Sequence, residues 1–89
     1  MMANVLQTSI LKYLKSLPDC WAIKVIAANQ RGCPDILCCH KGRFLAIEVK
    51  SEGDKLTRIQ SAQLARIRKA EGSTIVASSV DDVKWVAFI

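Results

Sequence analysis

The chain has 89 residues, 51% of them apolar, and its 13 Lys and Arg against 8 Asp and Glu give a net charge of +5. A chain of this length has room for one core, so a single domain over residues 1–89 is expected. No apolar run approaches the ~20 residues of a membrane span, and the N-terminus lacks the basic and apolar regions of a signal peptide, which points to the cytoplasm.

Residues 4–16 read as a helix, because Leu6, Ile10, Tyr13, Leu14 and Leu17 recur at helical spacing while Lys12 and Lys15 fall off that stripe. Asn4 is the expected N-cap and Pro18 the stop. Val5 and Leu11 lie outside the stripe and are candidates for contact with a second subunit. Residues 21–26, WAIKVI, carry strand formers. Residues 27–33 form a loop in which Arg31 is a candidate phosphate contact and Gly32 permits close backbone approach. Ordinary loop chemistry accounts for both residues equally well.

Two apolar runs follow, Ile36-Leu37-Cys38-Cys39 and Phe44-Leu45-Ala46-Ile47, around Lys41-Gly42. Short apolar runs about a Gly-containing turn predict a β-hairpin. In the register symmetric about Lys41-Gly42, Cys39 faces Phe44, Leu37 faces Ala46 and Asp35 faces Glu48. Opposed side chains share one face of a sheet, and Lys50, two residues beyond Glu48, joins that face. Two adjacent carboxylates repel and lose solvation, and a divalent cation relieves both costs. Hard oxygen ligands favour Mg²⁺ or Mn²⁺, and the backbone carbonyl of Val49 offers a third oxygen. Lys50, a compact charge, can orient a water or offset negative charge on a phosphate. The alternative is that Asp35 caps a turn and Glu48 and Lys50 form a surface pair.

Residues 51–55, SEGDK, are a polar loop with Ser51 and Lys55 at its ends. A helix is expected over residues 56–71, ending at Gly72 as the C′ residue. Leu56, Ile59, Gln60, Gln63, Leu64, Ile67 and Ala70 share its inward side, and Arg58, Arg66 and Lys69 the other. Gln60, near the helix start, is placed to reach the acidic pair, and Gln63 falls at the stripe's margin. The basic side is either a solvated face or a DNA contact. Residues 73–78 read as a strand, parallel to another after the helical crossover. Ser79 is a candidate N-cap with Asp81 and Asp82 in the turn it starts, and residues 83–89 fit helix or strand. A terminus rich in Trp85, Val86, Phe88 and Ile89 implies burial, within the fold or between subunits.

Cys20, Cys33, Cys38 and Cys39 invite a zinc reading with His40, but the spacing lacks two matched Cys pairs. Adjacent Cys38 and Cys39 on a strand point to opposite faces, so reduced buried thiols are the better account. His40, at the turn end, is expected to be structural or exposed. The high apolar fraction for so small a chain implies a further buried surface, most simply a homodimer. The basic balance fits a phosphate-backbone partner.

The ordered set Arg31-Gly32-x-Pro34-Asp35, Glu48-Val49-Lys50 and Gln60 with Leu64 resembles the virus-type replication-repair nuclease (VRR-NUC) family of the PD-(D/E)xK nuclease superfamily. The resemblance implies an α/β, restriction-endonuclease-like core of order α-β-β-β-α-β with a mixed sheet. It further implies metal-dependent hydrolysis of DNA, with Asp35, Glu48 and the Val49 carbonyl as ligands of Mg²⁺ or Mn²⁺, and Lys50 and Gln60 as catalytic partners. DNA contacts are expected at Arg31, Gly32, Ser51, Lys55 and Arg58. Many members carry a Glu in the first helix. The matching position here is Gln7, which can reach a metal only through water and supplies no charge. A bacterial or phage-infected cell is the implied setting. Four-way junctions cut by a homodimer are the first expectation for substrate. The alternatives are nicking of flap or single-stranded DNA, and a non-catalytic DNA-binding module.

Overall fold

A computed structural model describes residues 3–89, so the first two residues of the expected domain lie outside the described residues. The order is α1 (Ala3–Lys15), β1 (Cys20–Lys24), β2 (Ile36–His40), β3 (Arg43–Val49), α2 (Arg58–Lys69), β4 (Ser73–Ala77) and a 3-10 helix (Val80–Phe88). The strands form one mixed sheet of order β1-β2-β3-β4, antiparallel except where the α2 crossover returns β4 parallel to β3. This is the α/β order expected from the sequence.

Strand alternation divides the sheet into two faces. Ala22, Ile36, Cys38, Leu45, Ile47, Val49, Ile75 and Ala77 turn to one side. There they pack on Leu6, Ile10 and Leu14 of α1 and on Val83 and Val86 of the 3-10 helix. Asp35, Leu37, Ala46, Glu48 and Thr74 have the opposite parity. That second face carries α2, where Arg68 donates to Thr74 Oγ1 (2.9 Å) and Leu64 is buried.

Lys41 and Gly42 both have positive φ (50° and 83°), the type I′ hairpin turn whose twist matches its strands. The turn is tied down by the Lys41 N–H, which donates to the Asp19 carbonyl at 3.1 Å. The pairing is the symmetric one: Cys39 opposite Phe44, Leu37 opposite Ala46, Ile36 opposite Ile47.

Several boundaries differ from expectation. Asn4 lies inside the first turn of α1 and accepts the Val5 N–H, so it is not the N-cap. β1 stops at Lys24, because beyond it only the Val25 N–H still pairs, with the Asp35 carbonyl (2.8 Å), and Ile26 stands exposed. Leu11 packs on the core rather than standing clear of it. The C-terminal segment is a 3-10 helix with Val86 buried and Trp85 and Phe88 exposed. Ser79 occupies its N-cap without a side-chain capping bond; Asp82 accepts from the Ser78 N–H and hydroxyl. Cys38 and Cys39 lie on opposite faces as expected, but only Cys38 is buried; Cys39 is exposed, contrary to the buried-thiol expectation, because the row it shares with Trp21 and Phe44 is uncovered. His40 is buried, with Nδ1 lacking a partner among the described residues. None of the described helices is long and apolar enough to cross a membrane.

The end of α2 corrects the glycine assignment. Glu71, not Gly72, takes the left-handed position (φ 71°), and its N–H bonds Arg68 O while the Gly72 N–H bonds Ile67 O. Those two bonds make a Schellman motif with Gly72 at C″. Gly72 is needed there because a Cβ would lie 2.7 Å from Ile67 Cγ2 and 3.0 Å from Phe44 Cδ2. Glu71→Gly should therefore stabilise the protein by about 1 kcal/mol by removing left-handed strain. Thermal unfolding should show a rise of several degrees, whereas Gly72→Ala should lower the midpoint.

Candidate active site

The hairpin register, continued one residue past Ile36–Ile47, sets Asp35 opposite Glu48. The backbone fixes Asp35 on both sides. Its carbonyl accepts the Val25 N–H, and its Oδ2 accepts the Val49 N–H at 2.8 Å. An N–H and C=O on one strand residue point the same way. The Val49 carbonyl thus faces the β2 side of β3, whereas the next amide, Lys50 N–H, turns to Ala77 O of β4 (2.9 Å).

Glu48 is 2% exposed, and its Oε2 has no hydrogen-bond partner among the described residues. A buried carboxylate oxygen without a donor is costly. Burial first, then the Asp35 charge and a hydrogen bond with its carboxyl, push the Glu48 pKa up to about 7, against a smaller lowering by Lys50. The bland reading of Glu48 and Lys50 as a surface pair does not fit a carboxylate so enclosed. Among the described residues no three His, Cys, Asp or Glu side chains are arranged to hold a metal ion. An ion here would thus draw on two carboxylates and a backbone carbonyl. That donor set is all oxygen and carries an orphaned acceptor, so the residues fit a hard divalent cation.

The other expected residues are distributed as follows. Lys50 is half-buried on the face of Glu48, and Ser51, also half-buried, follows it. Arg31, Lys55 and Arg58 are exposed. Gly32 has φ 74° and abuts α2: a Cβ there would lie 2.5 Å from Ile59 Cγ2. Its close approach is thus to Ile59, not to an open surface. Gln60 closes a capping box, its Oε1 accepting from Thr57 N–H (2.9 Å) and its own N–H donating to Thr57 Oγ1 (3.1 Å). Its side-chain oxygen is therefore committed to the helix start rather than to the acidic pair. Gln7 is half-buried next to Leu6 on the helix covering the opposite face, and it hydrogen-bonds neither carboxylate.

Cys33 and Gln63 have roles that their sequence positions did not assign to them. The Cys33 thiol has a raised pKa, through burial first and then the charges of Glu48 and Asp35, so it sits beside the pair as a neutral group. Gln63 donates to the loop that carries Arg31. The available signal was its place three residues after Gln60 on the inward stripe.

A pH prediction follows from Glu48. A carboxyl with pKa near 7 in the folded protein, above its ordinary value of 4.5, contributes stability below pH 4.5 that is lost as pH rises through 7. In EDTA the unfolding midpoint of the wild type should fall between pH 5 and 8, by roughly 4–8 °C per kcal/mol for a domain this size. Glu48→Gln should flatten that slope; a wild-type midpoint that rises across the range would contradict the burial.

Comparison with known proteins agrees with the geometry. The family model "VRR-NUC domain" matches residues 4–81. Two solved structures described as a VRR_NUC domain and a VRR_NUC domain protein superpose with TM-scores of 0.79 and 0.76, at 24% and 20% identity. The first match covers 91% of each chain, the second 93% of this chain and 82% of the other. Hjc from Archaeoglobus fulgidus, a Holliday junction resolvase from an archaeal hyperthermophile, matches with TM-score 0.61 and 27% identity over 80% of this chain and 62% of its own. No curated protein matches the chain significantly. With the acidic pair, the fold and the family model in agreement over residues 4–81, the chain belongs to the VRR-NUC nuclease family.

Proposed function

We propose that the chain, as a single nuclease domain, is a divalent-metal-dependent endonuclease that cuts branched DNA, resolving four-way junctions as a homodimer. One observation carries the reading: two carboxylates from neighbouring strands face each other, and the buried one has an oxygen without a donor. Asp35, Glu48 and the Val49 carbonyl would hold Mg²⁺ or Mn²⁺. When bound, such an ion supplies Lewis-acid activation of water and stabilises charge at the phosphate. Asp35 is pre-set for this by the Val49 N–H, and Glu48 must give up its proton to join. Lys50 orients the attacking water or offsets charge on the pentavalent phosphorus as the P–O bond breaks. Gln60 supports the acidic pair indirectly, by fixing the start of α2.

Substrate recognition would come from Arg31 on one loop, which Gly32 seats against Ile59, from Ser51 and Lys55 on another, and from Arg58 at the start of α2. These reach phosphates rather than base edges, so shape is read in preference to sequence. The resemblance to a Holliday junction resolvase supports the junction over flap or single-stranded DNA. A second copy has an apolar surface to use: Trp21, Cys39 and Phe44 stand in one row across three strands, with Ile23 beside them, all exposed. Two copies related by a twofold axis would match the symmetry of a junction. The cytoplasm is the setting in which four free thiols stay reduced. Gln7, where a first-helix acid is expected, favours a second reading, DNA binding without cleavage.

The test is incubation of labelled four-way junction, flap, duplex and single-stranded DNA with Mg²⁺, Mn²⁺ or EDTA. The wild type should cleave the junction only with metal, and Asp35→Ala, Glu48→Ala and Lys50→Ala should each lose on the order of 100-fold or more. Full activity in Asp35→Ala, or cleavage in EDTA, would refute the nuclease mechanism. Binding without cleavage would select the second reading. Sedimentation should give a dimer that Trp21→Asp dissociates; a wild-type monomer at working concentration would remove the twofold argument.

A further inference from the structure

We infer that Gln63 is a positioning residue: it clamps the β1–β2 loop to α2 and thereby presents Arg31 to the DNA backbone, setting affinity rather than chemistry. This rests on the reading of Arg31 as a phosphate contact.

The connection between Lys24 and Ile36 is long for a loop without secondary structure. Its foot is secured by the Val25–Asp35 backbone bond, but residues 26–31 are exposed. Gln63 Nε2 carries two hydrogens, and both acceptors within reach belong to this loop: Gln30 Oε1 at 3.1 Å and Arg31 O at 2.9 Å. Ile59, one helical turn earlier on the same side of α2, fills the space that Gly32 leaves open. Beneath the loop lies a cavity of about 170 Å³ lined by Gln30, Cys33, Pro34, Leu37, Gln63 and Ile67. Packing therefore does not close this seam, and the polar clamp and the glycine contact hold it.

The geometry separates two jobs. Asp35 is anchored independently, through Val25 and the Val49 N–H, so releasing the clamp leaves the acidic pair in place. What is released is the segment bearing Arg31, which must then be ordered when DNA binds. Clamp loss should thus weaken binding while leaving turnover of bound substrate. Position 63 needs a donor toward the Arg31 carbonyl, which can only accept, whereas the Gln30 amide can turn either end to its partner. Glutamate, equal in shape, would set an oxygen against that carbonyl, and methionine would fill the space without donating.

The test uses the full chain with Gln63→Met, Gln63→Glu and Gln30→Leu, the last an exposed loop position that spares the core. Amide hydrogen exchange is measured without metal or DNA. Exchange at residues 28–33 should quicken about tenfold in Gln63→Met, at least as much in Gln63→Glu, and less in Gln30→Leu, with β2 and β3 unchanged. The Kd for an uncleaved four-way junction in EDTA should rise about tenfold in both Gln63 variants, and kcat under Mg²⁺ should stay within about twofold. Unchanged exchange at residues 28–33, or faster exchange with unchanged Kd, would overturn the inference. So would a loss confined to kcat. If the wild type binds junctions but does not cleave, the exchange and Kd results still decide the clamp, so failure of the nuclease reading is distinguishable from failure of this one.

Discussion

The structure depends on the pairing of β2 with β3 in step about Lys41 and Gly42. A strand side chain changes face with every residue, so a slip of one position would send Glu48 into the apolar core and Leu45 and Ile47 out of it. Burial of Leu45, Ile47 and Val49 under α1 therefore enforces the same register that opposes Asp35 and Glu48. The core and the candidate site are specified by one constraint. The left-handed turn residues and the Lys41–Asp19 bond hold the hairpin at its far end.

Much of this was legible because it rests on period-two alternation and turn chemistry, which short-range sequence carries. Asp35, Glu48 and Lys50 fell on one face by counting alone. Gln60 was assigned to the acidic pair, although Thr57-Arg58-Ile59-Gln60 has the pattern of a capping box, and the structure commits its side-chain oxygen there. Its inward position suggested the acidic pair, but a helix N-terminus needs acceptors and donors locally, and the local partner won. Gly72 was placed one position early because its contact with Phe44 is tertiary. The burial of His40, the Gln63 clamp and the match of Gly32 with Ile59 also join residues distant in sequence, so no pattern within either segment announces them.

The site keeps an instability that the rest of the fold avoids. Two acids are held together where one of them reaches almost no water, and without a cation the pair is relieved by keeping a proton on Glu48. The sheet that imposes this strain is sealed on the other side by an apolar core. Under the proposed function, such a site would exchange a proton for a metal ion near neutral pH. The exposed cations Arg31, Lys55 and Arg58 lie on the loops and the helix start outside that core.

The most direct test is calorimetric titration of Mn²⁺ into the wild type, Asp35→Asn and Glu48→Gln near pH 6.5, in buffers of different ionisation enthalpy. Mn²⁺ should bind the wild type with proton release as Glu48 ionises, and bind weakly or not at all to either variant. Equal Mn²⁺ affinity in all three proteins, or binding by the wild type without proton release, would contradict this.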